Sequence, residues 1–172
     1  ADPPHCAASL LGGGRPSAPA LHPCECGLRF PAFFPAGIIT TLKTAVQAFS
    51  APGDTVLIQP PVYAHFHNDV LLNGRHLAFA PLDFTGDGYR FNEKSFEAAI
   101  RGNTKIFILS HPHNPTGNVW SEDELRAMGE ICARHGVLVI SDEIHEDLIL
   151  NPDRKHIPFA SLGEKFAQNS IT

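Results

Sequence analysis

No stretch of this chain approaches the roughly 18 consecutive apolar residues that span a bilayer, so the sequence gives no reason to expect a membrane. It also lacks a basic excess. Thirteen Lys and Arg stand against 18 Asp and Glu, a formal net charge of -5, so nothing favours nucleic acid or an anionic surface as partner. Cysteine is scarce and badly placed for a disulfide framework. Three of the four, Cys6, Cys24 and Cys26, fall in the first 26 residues, and Cys132 lies in a helical pattern as a small buried hydrophobe. A reducing, cytoplasmic compartment is the expectation. The N-terminus has no basic start followed by a continuous apolar stretch, so no secretory signal is read there. Charge is low, 18% against 43% apolar residues, which is the balance of a globular chain. A length of 172 residues suits one ordinary domain.

Residues 1–35 differ from the rest. They hold seven of the fifteen prolines and a Gly12-Gly13-Gly14 run, with neither a helical nor a strand period. They are expected to form an irregular leader, and a non-native or frameshifted translation would account for such text. His5, Cys6, His22, Cys24 and Cys26 offer ligand groups there. The Cys-x-Cys spacing is not the Cys-x-x-Cys of structural zinc sites, so no metal is expected.

From Gly37 the pattern becomes regular. Ile38, Ile39, Leu42, Ala45, Val46 and Phe49 keep helical spacing, and Pro52-Gly53 stops the helix. Thr55 to Gln59 reads as a short buried strand. A second amphipathic helix runs to Gly74, and "RHLAFAPL" is a strand. A short strand precedes a helix over Glu93 to Ile100. Thr104 to Ser110 is a buried strand. "SEDELRAMGEICARHG" is a helix with Ser121 as N-cap, Glu124 completing a capping box, and Gly136 as the stop. Val137 to Ser141 is a strand, and "KFAQNSIT" starts another. Short apolar strands alternating with helices predict an α/β fold with a mostly parallel sheet covered on both faces. In such folds ligands bind beyond the carboxyl ends of the strands.

Several polar residues sit at those ends. Asp142 follows Ser141 at the end of the apolar run Val137 to Ile140. It either caps a following turn or meets a cation in a ligand, because an unpaired buried charge is costly. Asn114, within His-Pro-His-Asn-Pro-Thr-Gly, is either an Asn-Pro turn residue or a donor and acceptor for a ligand. His145 is structural or functional on equal terms. Tyr63 is a core aromatic or a ring stacked on a planar group. Thr40 and Thr41 lie in a first helical turn, where backbone N–H groups favour phosphate. The His111–His113 pair is accounted for by its place at the strand end, and "SEDELRAMGE" is a solvated helix face.

The segments "PGDTVLIQPPVYAHF", "HPHNPTGNVWSEDEL", "GVLVISDEIHEDLIL" and "KHIPFASL" carry a resemblance. Residues 36–172 resemble part of the large domain of fold-type I pyridoxal-phosphate enzymes, the class I/II aminotransferase superfamily. Within it they are most similar to the PatB/MalY group of cystathionine β-lyases. "SDEIHEDL" followed by "HIPFASL" is the narrower signal, because aminotransferases more often carry Tyr where His145 stands. The resemblance implies a three-layer fold, here incomplete at the C-terminal side and without the small domain. It implies pyridoxal 5'-phosphate as cofactor. Asp142 would pair with the protonated pyridine nitrogen, and Asn114 would hydrogen-bond the phenolic oxygen. His145 would stand in for the tyrosine on the other side, and Tyr63 would stack on the ring. Gly37 and Ile38 would lie at the phosphate site, although "RFPAFFPAGIITT" departs from the family's Gly-rich or Val-Val turn.

The Schiff-base lysine implied by the resemblance falls in a Ser-Lys motif, expected just beyond Thr172. None of Lys43, Lys94, Lys105, Lys155 and Lys165 lies in such a turn. By the same resemblance the parent enzyme is expected to be a carbon–sulfur lyase that releases thiol, ammonia and pyruvate from a small sulfur amino acid, as a homodimer. A class I/II aminotransferase is the alternative chemistry. A catalytically dead fragment with part of a cofactor pocket is the alternative for the chain alone.

Overall fold

The computed structural model describes residues 37–172. The expected leader and its cysteine and histidine ligands lie outside the described residues. The chain runs through helix α1 (Ile38–Phe49), strand β1 (Thr55–Ile58), helix α2 (Ala64–Leu71) and strand β2 (His76–Phe79). A small hairpin follows, β3 (Asp83–Phe84) and β4 (Tyr89–Arg90), and then helix α3 (Glu93–Ala99). Strand β5 (Thr104–Ser110), helix α4 (Glu122–Arg134) and strand β6 (Leu138–Asp142) complete the centre. A 3-10 turn (Phe159–Leu162), helix α5 (Glu164–Gln168) and strand β7 (Ser170–Ile171) close the described chain.

Five strands form one sheet in the order β2-β1-β5-β6-β7, and every pairing in it is parallel. The expected α/β class with a mostly parallel sheet is the observed one. Side chains alternate across the pleat, as strand geometry requires. Val56, Ile58, Ile106 and Ile108 face α1 and α2, together with Leu42, Ala45, Val46, Phe66 and Val70. Leu57, Phe107, Leu109 and Val139 face the opposite layer of Phe96, Leu125, Met128, Ile131 and Cys132. Both strand faces are buried, which is why β1 and β5 read as unbroken apolar runs. Each such side chain contributes about 1.5–3 kcal/mol on burial. Among the described residues no helix is long and apolar enough to cross a membrane.

Local signals account for the ends of α4. The Ser121 side chain accepts from the Glu124 N–H while the Glu124 carboxylate accepts from the Ser121 N–H, so the capping box is formed. At the other end Gly136 takes φ 64°, the left-handed region that glycine enters without Cβ strain. This lets the Val137 N–H reach back to the Cys132 carbonyl at 2.9 Å. Cys132 is buried and free, as its helical position suggested, and burial pushes its thiol pKa well up.

One expectation is corrected. "KFAQNSIT" was expected to be strand, but Lys165 to Gln168 lie in α5, and only Ser170–Ile171 pair as β7. Phe166 and Ala167 are buried. The Phe166 ring packs so tightly on α4 that a Cβ built at Gly129 would lie 2.6 Å from it. Packing of one helical turn therefore overrides a segment too short to show a period of its own.

Candidate functional site

Chain direction decides where a site can form. The chain leaves β1 for β2 on one side, then returns to place β5 on the other side of β1. The connections diverge there, and the carboxyl ends of β1 and β5 open a crevice. Tyr63 is the N-cap of α2, five residues past the end of β1. Ser110 ends β5 and Asp142 ends β6, and the two are register partners. Asn114 follows four residues after Ser110, and its backbone N–H donates to Ser110 Oγ at 3.0 Å. His145 lies in the turn after Asp142, and the N-terminus of α1 completes the wall.

The six residues that the resemblance assigns to the cofactor meet there, whereas Thr41 does not line the cleft. Gly37, Ile38, Tyr63, Asn114, Asp142 and His145 line one cleft of about 510 Å³, joined by Ile39, Thr40, Ser110 and Ile144. That volume falls in the range of small-molecule sites. Ser110 and Ile144 were not singled out from the sequence. Ser110 carried one usable signal, as the last residue of a buried strand. Ile144 carried none, since an isoleucine beside a turn has no distinctive pattern.

The arrangement has defined chemical capacities. Helix α1 is 12 residues long, and its N-cap Gly37 makes no side-chain cap hydrogen bond. The first-turn N–H groups of Ile38, Ile39 and Thr40 precede the first intrahelical bond, from Thr41 N to Gly37 O at 3.0 Å. Unsatisfied N–H groups and the helix dipole together favour an anion such as a phosphate. Gly37 takes φ 131°, and a Cβ there would meet nothing within 4 Å. Glycine is thus required by the backbone turn and not by a close neighbour.

At the other end Asp142 Oδ1 accepts from the Ile144 N–H at 3.2 Å, so the turn-capping reading is correct for one oxygen. Among the described residues no Lys or Arg pairs with it. Burial lifts its pKa above the ordinary carboxylate value, the Ile144 N–H and nearby His145 oppose that, and Glu143 adds to it. A partly buried carboxylate with a free oxygen and no cation beside it suits a cationic ring nitrogen. Tyr63 keeps an edge contact with Phe66 at 6.0 Å and lies 5.1 Å from the His65 ring. A flat aromatic group with a phosphate at one end and a protonated nitrogen at the other fits these donors and acceptors. Among the described residues no lysine lines the cleft.

The histidines of "HPHNP" are structural. His111 and His113 are fully buried. The His111 ring meets the Ile157 carbonyl through Nε2 at 3.1 Å, and His113 Nδ1 meets Thr116 Oγ1 at 3.0 Å. Trp120 is buried beside His113 and donates to the Ser110 carbonyl at 3.0 Å. These contacts fix the loop that carries Asn114.

The family model for aminotransferase class I and II matches residues 32–166. The chain belongs to this family. Among its relatives, cystathionine beta-lyase PatB of Bacillus subtilis is 46% identical over 140 residues, which are 81% of this chain and 36% of the relative. Kynurenine–oxoglutarate transaminase 3 of Rattus norvegicus is 35% identical over 130 residues, covering 71% of this chain and 28% of the relative. The crystal structure of the PLP-bound C-S lyase from Staphylococcus hominis superposes with a TM-score of 0.70 at 35% identity, covering 73% of this chain and 32% of that one. The chain thus spans about a third of the length of the relatives it matches. Family members with both lyase and transaminase names share this fold.

Proposed function

We propose that this chain is the cofactor-binding part of a pyridoxal-phosphate-dependent carbon–sulfur β-lyase. The observation that carries the reading is the gathering of Asp142, Asn114, His145, Tyr63 and the α1 N-terminus around one cleft at the sheet's switch point. The cofactor is pyridoxal 5'-phosphate, in keeping with the family. When bound, it supplies an electron sink for charge developing at the α-carbon of an amino acid.

The chain's own residues hold and tune it. The N–H groups of Ile38, Ile39 and Thr40 would hold the phosphate, and Tyr63 would stack on the ring. The Asp142 oxygen not used by Ile144 would hold the proton on the ring nitrogen. Asn114 would donate to the phenolic oxygen, and His145 lines the same cleft. The residue that moves the substrate α-proton is not among the cleft-lining residues. In this reading that role belongs to the Schiff-base lysine of the family.

The lyase reading draws support from the 46% identity to a cystathionine beta-lyase. The substrate would be a small sulfur amino acid and the intact enzyme a homodimer. An aminotransferase is the second reading, supported by the 35% identity to a transaminase.

Two measurements test this. Calorimetric titration of the chain with pyridoxal 5'-phosphate should give saturable binding that Asp142→Asn weakens roughly ten- to a hundredfold, the worth of one charge-assisted hydrogen bond. Unchanged affinity would sink the assignment of Asp142. For the intact polypeptide, L-cystathionine should release pyruvate and ammonia without an added 2-oxo acid. Turnover that depends on 2-oxoglutarate and yields glutamate would favour the transaminase.

A further inference from the structure

Glu143 directly follows Asp142, yet it does not line the cleft. Its side chain is only 6% exposed. A carboxylate taken out of water at that depth must be repaid by hydrogen bonds. Glu143 Oε1 accepts from Ser141 Oγ at 2.7 Å and from the Phe159 N–H at 2.9 Å. Its Oε2 accepts from His156 Nε2 at 2.7 Å. His156 in turn stacks on the His111 ring at 4.4 Å. The His111 backbone N–H donates to the Asp142 carbonyl at 2.9 Å, and the His111 ring donates from Nε2 to Ile157 O at 3.1 Å.

These contacts close a ring of three chain segments. The end of β5, the end of β6 and the 156–159 stretch are joined through His111, Glu143, His156 and Phe159, none of which lines the cleft. Ser141 and Glu143 share one side of the chain, and Asp142 between them points to the other. Glu143, Glu146 and His156 also bring ligand atoms within 4.8 Å of one another. However, both Glu143 oxygens are already committed, and Glu146 stands 3.9 Å from His156 Nε2 at the exposed edge. The geometry is that of a lock rather than a metal site.

We propose that Glu143 and His156 are positioning residues that fix the end of β6 so that the Asp142 carboxylate is aimed at the cofactor's ring nitrogen. The proposal rests on reading the cleft as a pyridoxal-phosphate site. Without the lock, the Asp142 backbone keeps its bond from His111 but loses the tether that sets its rotation at the strand end. The Asp142 side chain then shares its time among rotamers, and the ring nitrogen loses its counter-charge.

The test uses pyridoxine 5'-phosphate, which lacks an aldehyde, so its binding is non-covalent and needs no lysine. Its affinity is read by fluorescence. The protonation of its ring nitrogen is read from ultraviolet absorbance across pH. Bound to the unaltered chain, the ring nitrogen should stay protonated to higher pH than in the free probe. Asp142→Asn should abolish that shift. Glu143→Gln and His156→Phe should cut it by at least half and weaken binding about tenfold, the scale of losing a hydrogen-bonded support behind a ligating side chain. His156→Gln, which keeps a donor to Glu143, should restore most of it.

A role limited to folding would lower the melting temperature of Glu143→Gln and His156→Phe while leaving the bound-probe shift intact, and that overturns the proposal. Should Glu143→Gln fail to fold, the His156→Phe and His156→Gln pair decides by itself. An Asp142→Asn chain that binds and shifts the probe normally would overturn the cofactor reading and the proposal together. A loss confined to Asp142→Asn overturns the proposal alone.

Discussion

Acid should unfold this chain through two histidines that have no part in the cleft. His111 and His113 are 0% and 2% exposed. A carbonyl can only accept, so His111 carries its proton on Nε2 toward Ile157 O, and its Nδ1 is buried without a partner. A second proton on Nδ1 would have no acceptor and little solvent. Burial, aided by the neighbouring His156, lowers the His111 pKa from 6.5 to about 4. Burial lowers that of His113 likewise to about 4. In the unfolded chain both return to about 6.5. Between about pH 4 and 6.5 the unfolded state therefore binds more protons, and stability rises with pH through this window. The stabilisation is fully present above 6.5 and lost as pH falls toward 4. Each histidine contributes roughly 3 kcal/mol across the window, a large share of the 5–15 kcal/mol typical of a whole domain.

Asp142 acts in the opposite sense. Its raised pKa makes the folded state bind its proton more readily, so its contribution falls as pH rises through that value. Urea titrations followed by far-ultraviolet circular dichroism, from pH 4.5 to 7.5, measure the net slope. Near the middle of the window the two histidines should give about two protons taken up on unfolding. The double variant His111→Gln/His113→Gln should be less stable at pH 7 but nearly flat with pH. A slope unchanged in the double variant would refute the assignment of acid sensitivity to these rings.

Two further outcomes test the packing and the local signals. Gly129→Ala should cost about 1–3 kcal/mol by overpacking, because its Cβ would lie 2.6 Å from two Phe166 ring carbons and 3.0 Å from Phe159 Cζ; unchanged stability in a urea titration would mean that α5 does not dock as described. Ser121→Ala removes the cap of α4, which should lower stability by about 1 kcal/mol with little change in denaturant slope; a change under a few tenths would place the capping box outside the cooperative unit.

Much of this molecule is readable along one dimension. Periodicity marks α1, α4 and the unbroken apolar strands β1 and β5, because a buried helix face and a doubly covered strand leave distinct spacings. Ser121, Glu124 and Gly136 mark the ends of α4, since caps are local hydrogen bonds among near neighbours. Asp142 and Asn114 stand out because a polar group after an apolar run must find a partner. The rest depends on contacts between residues distant in the chain. Tertiary packing made "KFAQ" a helical turn by seating Phe166 against Gly129. Strand order brought the α1 N-terminus, more than 70 residues upstream of Asn114 and more than 100 upstream of Asp142, to the same cleft. His156 reaches Glu143 across 13 residues only because the 156–159 stretch folds back beneath β6. No spacing encodes that meeting. The order of residues along the chain sets which groups must find a partner, and folding alone supplies that partner, because burial and hydrogen bonding act through space.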